Sequence, residues 1–130
     1  LTSREVWMLR PSVVPVNEAD KNYNMGDWGN TVYGKNRSWF LLKSIDLKDI
    51  TSLSVRFATE SANTVLSIRL DSLKGPEIST ISLKGTSSFD KFVELTGVIT
   101  DPGDRHDLYF VLKGQDDKGT RLDWIRFNKK

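Results

Sequence analysis

Between its turns the chain alternates apolar and polar residues. Residues 52–58, SLSVRFA, put Leu53, Val55 and Phe57 on one face with Ser and Arg on the other, and residues 64–70, TVLSIRL, do the same with Leu66, Ile68 and Leu70. A period of two belongs to a half-buried strand, whereas a helix repeats every 3.6 residues. EISTISL (77–83), DKFVELTGV (90–98), DLYFVLK (107–113) and RLDWIRF (121–127) continue the series, parted by clusters of Gly, Pro, Asp and Ser. SWFLLKSIDL (38–47) is more continuously apolar, which predicts a strand covered on both faces. Ahead of it lie TVY (31–33) and EVWMLRPSVVPV (5–16), where Pro11 and Pro15 confine any strand to a sheet edge or to two fragments. A helix has room only as a turn or two in residues 17–23. The pattern predicts an all-β chain of eight to ten short strands in two antiparallel sheets packed face to face, a β-sandwich for which the jelly roll is one closure.

Length and composition narrow this further. The 130 residues suit one domain, residues 1–130, and 38% apolar with 28% charged residues is ordinary for a folded globular chain. Nineteen basic against 17 acidic residues leave no electrostatic footprint for nucleic acid. With no apolar run of 18 residues and no charged-then-apolar leader, no membrane partner is expected. Cysteine is absent and histidine occurs once, at His106, which excludes disulfides, thiolate sites, multi-His zinc and all but a triad built on that one imidazole. His106 reads as a turn histidine bonding to backbone. Asp116 and Asp117 are adjacent in one loop, unlike the two separated carboxylates that glycoside hydrolysis needs. Trp39, Trp124, Phe57 and Phe110 lie on apolar strand patterns and are read as core.

Three stretches together resemble a known family. SWFLLKSIDLKDITSLSVRFA is similar to the pattern GDWLEYKNVDLTGVKSLTLRVA of family 6 carbohydrate-binding modules, GDRHDLYFVLKG to G.HDLYFVFKG, and RLDWIRF to NLDWFEF. The likeness runs from about Thr31 to Phe127. It implies a galactose-binding-like β-sandwich without catalytic activity, attached to a larger extracellular or periplasmic protein, that holds a carbohydrate ligand at loops on one end. In such modules an aromatic pair grips a sugar ring and an Asn at the head of the last strand bonds its hydroxyls. Tyr33, six residues before Trp39, falls on the first aromatic; Phe89 falls on the second and Phe92 on its buried partner. The Asn position holds Arg121 instead. The resemblance also places Asp123 near a structural calcium, with Glu18 or Asp20 as further oxygens.

A pyranose presents an apolar C–H face and a rim of hydroxyls, so it calls for a flat aromatic and a few donors and acceptors. Tyr33 and Phe89 meet the first need. Arg121 offers five donors and no acceptor, which favours an anionic ligand such as a uronic acid; alternatively it is a strand-end charge paired with Asp116 or Asp117. Trp28, in the loop-like GDWGN, either widens the platform or caps the sandwich. The reading is a non-catalytic, monomeric carbohydrate-binding module that brings a larger secreted protein to a polysaccharide. The alternative is a structural module that keeps the sandwich and has lost the sugar.

Overall fold

A computed structural model describes residues 6–9, 26–28, 31–86, 88, 90–100, 103–114, 116 and 118–129. They form ten strands: β1 (Val6–Leu9), β2 (Gly26–Trp28), β3 (Thr31–Gly34), β4 (Trp39–Asp46), β5 (Ile50–Thr59), β6 (Asn63–Leu70), β7 (Glu77–Lys84), β8 (Val93–Val98), β9 (Arg105–Gly114) and β10 (Thr120–Lys129). One sheet runs β2-β3-β10-β5-β8, with β1 also paired to β10, and the other runs β4-β9-β6-β7. Every pairing is antiparallel. The predicted sandwich and its strand count are therefore correct, and the proline-bounded N-terminal stretch contributes the short strand β1. The turn of helix considered for residues 17–23 lies outside the described residues.

Alternation builds the core. Leu53, Val55 and Phe57 of β5 face Leu66 and Ile68 of β6, Phe110 and Leu112 of β9, and Leu122, Ile125 and Phe127 of β10 in one buried cluster. Within it the rings of Phe40 and Phe110, register partners on β4 and β9, stack with centroids 4.7 Å apart. Burying a side chain of this size stabilises the fold by about 1.5–3 kcal/mol, which is why the apolar face of each strand is so consistently occupied.

One expectation needs correction. Ser54 and Ser67, on the faces read as polar, are buried. Ser54 Oγ lies 2.7 Å from Thr96 Oγ1, and Ser67 donates to Glu77, so both hydroxyls are satisfied within the protein. Trp39 and Trp124 are buried as expected, each on the outer side of its sheet. Trp39 packs with Leu41 and Tyr109 in a second cluster on the outer side of the β4 sheet, covered by Leu73. This cluster explains the continuous apolar run at the start of β4. Trp124 lies on the outer side of the other sheet beneath the Arg126 guanidinium, 5.3 Å from the ring centroid. Phe57 and Phe110 are core as predicted.

The sandwich closes along one side through its two edge strands, β7 and β8. Ser79 Oγ donates to the Val98 carbonyl at 2.8 Å, and the Thr100 amide donates to the Ile78 carbonyl at 3.2 Å. Just beyond the Ser79–Val98 bond the backbone of Gly97 meets Ile81 so closely that a β-carbon would fall 2.7 Å from Ile81 Cγ1. A glycine is required for this contact.

Candidate functional site

Strand register sets the candidate residues side by side. Arg121, the second residue of β10, lies opposite Tyr33 of β3 and Ala58 of β5, while the next residue, Leu122, pairs with Val32 and Phe57 and enters the core. Directly opposed residues share a face, with β-carbons about 4.5–5.5 Å apart. Tyr33 and Arg121 are thus neighbours on the face turned away from the core. The turn entering β10 completes the corner: a β-carbon on Gly119 would fall 2.6 Å from Tyr33 Cζ, so the tyrosine ring lies directly on that backbone. The turn is itself fixed. The Gly119 carbonyl accepts from the Glu60 amide at 3.1 Å and from Thr59 Oγ1 at 3.2 Å, and Thr59 Oγ1 lies 2.7 Å from Thr120 Oγ1.

Among the described residues Arg121 meets Asp90 and Phe92. Its Nη1 lies 3.8 Å from Asp90 Oδ1, on a carboxylate that is 93% exposed, and its guanidinium sits over the Phe92 ring at 5.1 Å. Asp116 belongs to another interaction, and Asp117 lies outside the described residues. A second guanidinium, that of Arg56 on β5, also sits 5.1 Å from the Phe92 centroid. Phe92, which the resemblance places as a buried partner, is half-buried. Its ring supports two cations, an attraction worth about 0.5–1 kcal/mol each at exposed sites. Sequence reasoning missed Arg56 and Gly119 altogether. The only available signal for Arg56 was its position on the polar face of β5.

Phe89 lies outside the described residues. Trp28 is not in a loop but ends the short edge strand β2, where the register places it opposite Thr31 and Gly26 opposite Tyr33. Trp28 is therefore two positions along the strand pair from Tyr33.

Asp123 occupies a bulge in β10, between Leu122 and Trp124. Its Oδ2 accepts from Arg56 Nε at 3.1 Å. A hard cation needs six or more oxygens, and no group of three or more Asp, Glu or His side chains converges among the described residues. Glu18 and Asp20 lie outside them. Among the described residues, the Asp123 carboxylate faces the Arg56 guanidinium.

The remaining polar candidates serve the scaffold. Asp116 Oδ1 accepts from the Lys118 amide at 3.0 Å and Oδ2 from Ser61 Oγ at 3.2 Å. The Lys118 amide is the main reason its carboxyl is held below the usual 3.8; burial pushes the other way, while the Ser61 hydroxyl, the Ala62 amide and the Lys118 charge add to the lowering. His106 bonds to a side chain where backbone was expected: its Nδ1 lies 2.9 Å from Asp71 Oδ2, at the end of the sandwich opposite the Tyr33 corner.

Comparison with known proteins agrees with this architecture. The sequence profile of carbohydrate binding module (family 6) matches residues 15–129. An endo-1,4-beta-xylanase A from Thermoclostridium stercorarium is 33% identical over 88 residues, which are 67% of this chain and 16% of that protein, so the chain spans about a sixth of that relative's length. Among solved structures, a family 6 carbohydrate-binding module from Clostridium cellulolyticum in complex with xylose superposes with a TM-score of 0.71 at 25% identity, covering 75% of this chain and 77% of that one. CsCBM6-3 from Clostridium stercorarium, in complex with cellobiose, gives 0.68 at 28% identity over 77% of this chain and 74% of that one. With the profile spanning nearly all of the sandwich and the fold shared with both modules, the chain belongs to carbohydrate-binding module family 6.

Proposed function

We propose that this module holds a saccharide at the corner formed by Tyr33, Arg121 and the Phe92 turn, and that Arg121 directs it toward anionic glycans. The observation that carries the reading is the register pairing of Tyr33 with Arg121 over the Gly119 backbone. It sets a flat aromatic beside a donor-only cation, which suits a pyranose ring bearing a carboxylate. The Asp90 contact is no obstacle: at 3.8 Å, on a carboxylate 93% exposed, it is a surface pair worth about 0–1 kcal/mol and yields readily to a ligand carboxylate. The relatives solved with xylose and cellobiose support a ligand on the pyranose scale.

The module acts by binding and not by turnover. In the corner, Asp123 faces Arg56 and Asp90 faces Arg121, so neither carboxylate stands as an unpaired acid or base. Its role is to concentrate a larger secreted parent, of the glycoside hydrolase kind, on a polysaccharide outside the cell. One ring in a shallow site gives micromolar to millimolar affinity, about 4–8 kcal/mol.

Calorimetric titration with an acidic and a neutral xylo-oligosaccharide, at two salt concentrations, tests the reading. The wild type should bind the acidic chain more tightly, more so at low salt, and Arg121→Asn should reverse the order. Equal binding of both chains by both proteins removes Arg121 from the site, and binding of neither removes the saccharide.

A further inference from the structure

The sandwich edge that is closed at Gly97 opens at its other end. From Ser79–Ile81 against Gly97–Thr100 the two edge strands are in contact, but toward Lys84 and Val93 they part, leaving a cleft of about 530 Å³ between the sheets. Phe57, Val93 and Leu95 form its apolar wall, Ser82 and Lys84 the β7 side, and Gly85, Thr86 and Lys91 its lip. The volume is within the range of about 300–1,000 Å³ typical of small-molecule sites. Phe57 is fully buried and lies at the floor of the cleft, and Val93 at its mouth is 43% exposed.

The lip is held in place. The Thr86 amide donates to the Thr59 carbonyl at 3.0 Å, and the Thr59 amide donates to Thr86 Oγ1 at 3.0 Å. Gly85 lies against the Ser61 backbone, where a β-carbon would come within 3.0 Å of the carbonyl oxygen. The charge at the mouth is all of one sign: Lys84 and Lys91 both line the cleft, and among the described residues no carboxylate lies within ion-pair distance of either ammonium. The carboxylates close by in sequence do not change this, since Asp90 faces Arg121.

We propose that this cleft is a second binding site, separate from the Tyr33 corner, for a small amphipathic carboxylate. An aromatic acid of cinnamate size would lay its ring on Phe57, Val93 and Leu95 and turn its carboxylate to Lys84 and Lys91. Apolar walls alone would take a neutral hydrocarbon, and two lysines alone would take any small anion. Their combination at one opening selects a molecule with both parts.

Amide nitrogen–proton NMR titration with cinnamate, with cinnamamide as its neutral isostere and acetate as the carboxylate without a ring, reads the site directly. Cinnamate should shift the amides of residues 82–86 and 91–95. Cinnamamide should bind about tenfold more weakly, the loss of one charge-assisted contact, and acetate should shift nothing at matched concentration. Lys84→Ala with Lys91→Ala should weaken cinnamate about tenfold or more. Val93→Trp, which fills the mouth at an exposed position, should abolish binding even if the double lysine variant folds poorly. Tyr33→Ala should leave cinnamate binding intact, which separates this site from the saccharide corner. Equal affinity for acid and amide, shifts confined to Tyr33 and Arg121, or full binding by Val93→Trp would each overturn the assignment.

Discussion

The ring of Tyr33 rests on the backbone of Gly119, with no room for a side chain between them. The turn that starts β10 therefore sets the height of the aromatic platform. Gly119→Ala should push the ring off its seat. Because Tyr33 is half-buried at a strand end, the ring can move without opening the core. The expected result is at least tenfold weaker saccharide binding with a melting temperature within a few degrees of wild type. Titration calorimetry and thermal denaturation on the same sample check both halves.

Phe92 carries two guanidiniums, those of Arg56 and Arg121. Phe92→Ala removes both contacts, about 0.5–1 kcal/mol each, and some apolar burial, so the domain should lose about 1–3 kcal/mol in urea unfolding. Phe92→Tyr keeps the ring face and should be close to neutral. If alanine and tyrosine behave alike, the ring is not what holds the arginines.

Gly97→Ala places a methyl 2.7 Å from Ile81 Cγ1 where the two sheets meet. Overpacking of this kind costs about 1–3 kcal/mol. Ile81→Ala also destabilises by itself, through the cavity it leaves. In the double variant the two costs should fall short of their sum, since the new methyl occupies the vacated space, and a double-mutant cycle in denaturant measures that coupling.

Asp116 gives the domain an acid-side dependence. Its folded-state pKa lies below the ordinary 3.8, so folding is favoured by the ionised form. That contribution is fully present above 3.8 and is lost as pH falls through the lower folded value. Asp116→Asn should lower the melting temperature at neutral pH and flatten its fall below about pH 4, where variant and wild type converge. An unchanged slope in the variant would assign the acid sensitivity to other carboxylates.

Much of the scaffold was legible in the sequence because a period of two fixes which residues share a face, and Leu53, Val55, Phe57, Leu66 and Ile68 reached the core accordingly. Alternation does not say which face is inward when both are covered. Trp39 and Trp124 were recognised as buried, while the outer side on which they pack was not legible, and Ser54 and Ser67 were placed on a polar face that is in fact covered. At the corner, the family likeness identified Tyr33 and Arg121, whose neighbourhood depends on β3 and β10 pairing across nearly ninety residues. Nearness in the chain suggested Asp116 or Asp117 as partners of Arg121; Asp117 lies outside the described residues, and the fold also brings Asp90 from a different turn. Long-range pairing of this kind leaves no periodic trace. Phe89 and the proposed calcium ligands Glu18 and Asp20 lie outside the described residues.

The position of β10 affects how the domain comes to be made. It is the last strand synthesised, yet it lies between β5 on one side and β1 and β3 on the other, pairing Trp7 with Phe127. The opening strands have no sheet to join until residues 120–129 have left the ribosome, a wait of roughly 6 to 24 seconds at about 5–20 residues per second. Contacts spanning so much of the chain make the closing step slow and cooperative. A nascent chain stalled before β10 would hold Tyr33 on an unpaired edge, open to chaperones and proteases. Tyr33 and Arg121 become neighbours only through β10, so the proposed saccharide corner is assembled only when that strand is in place.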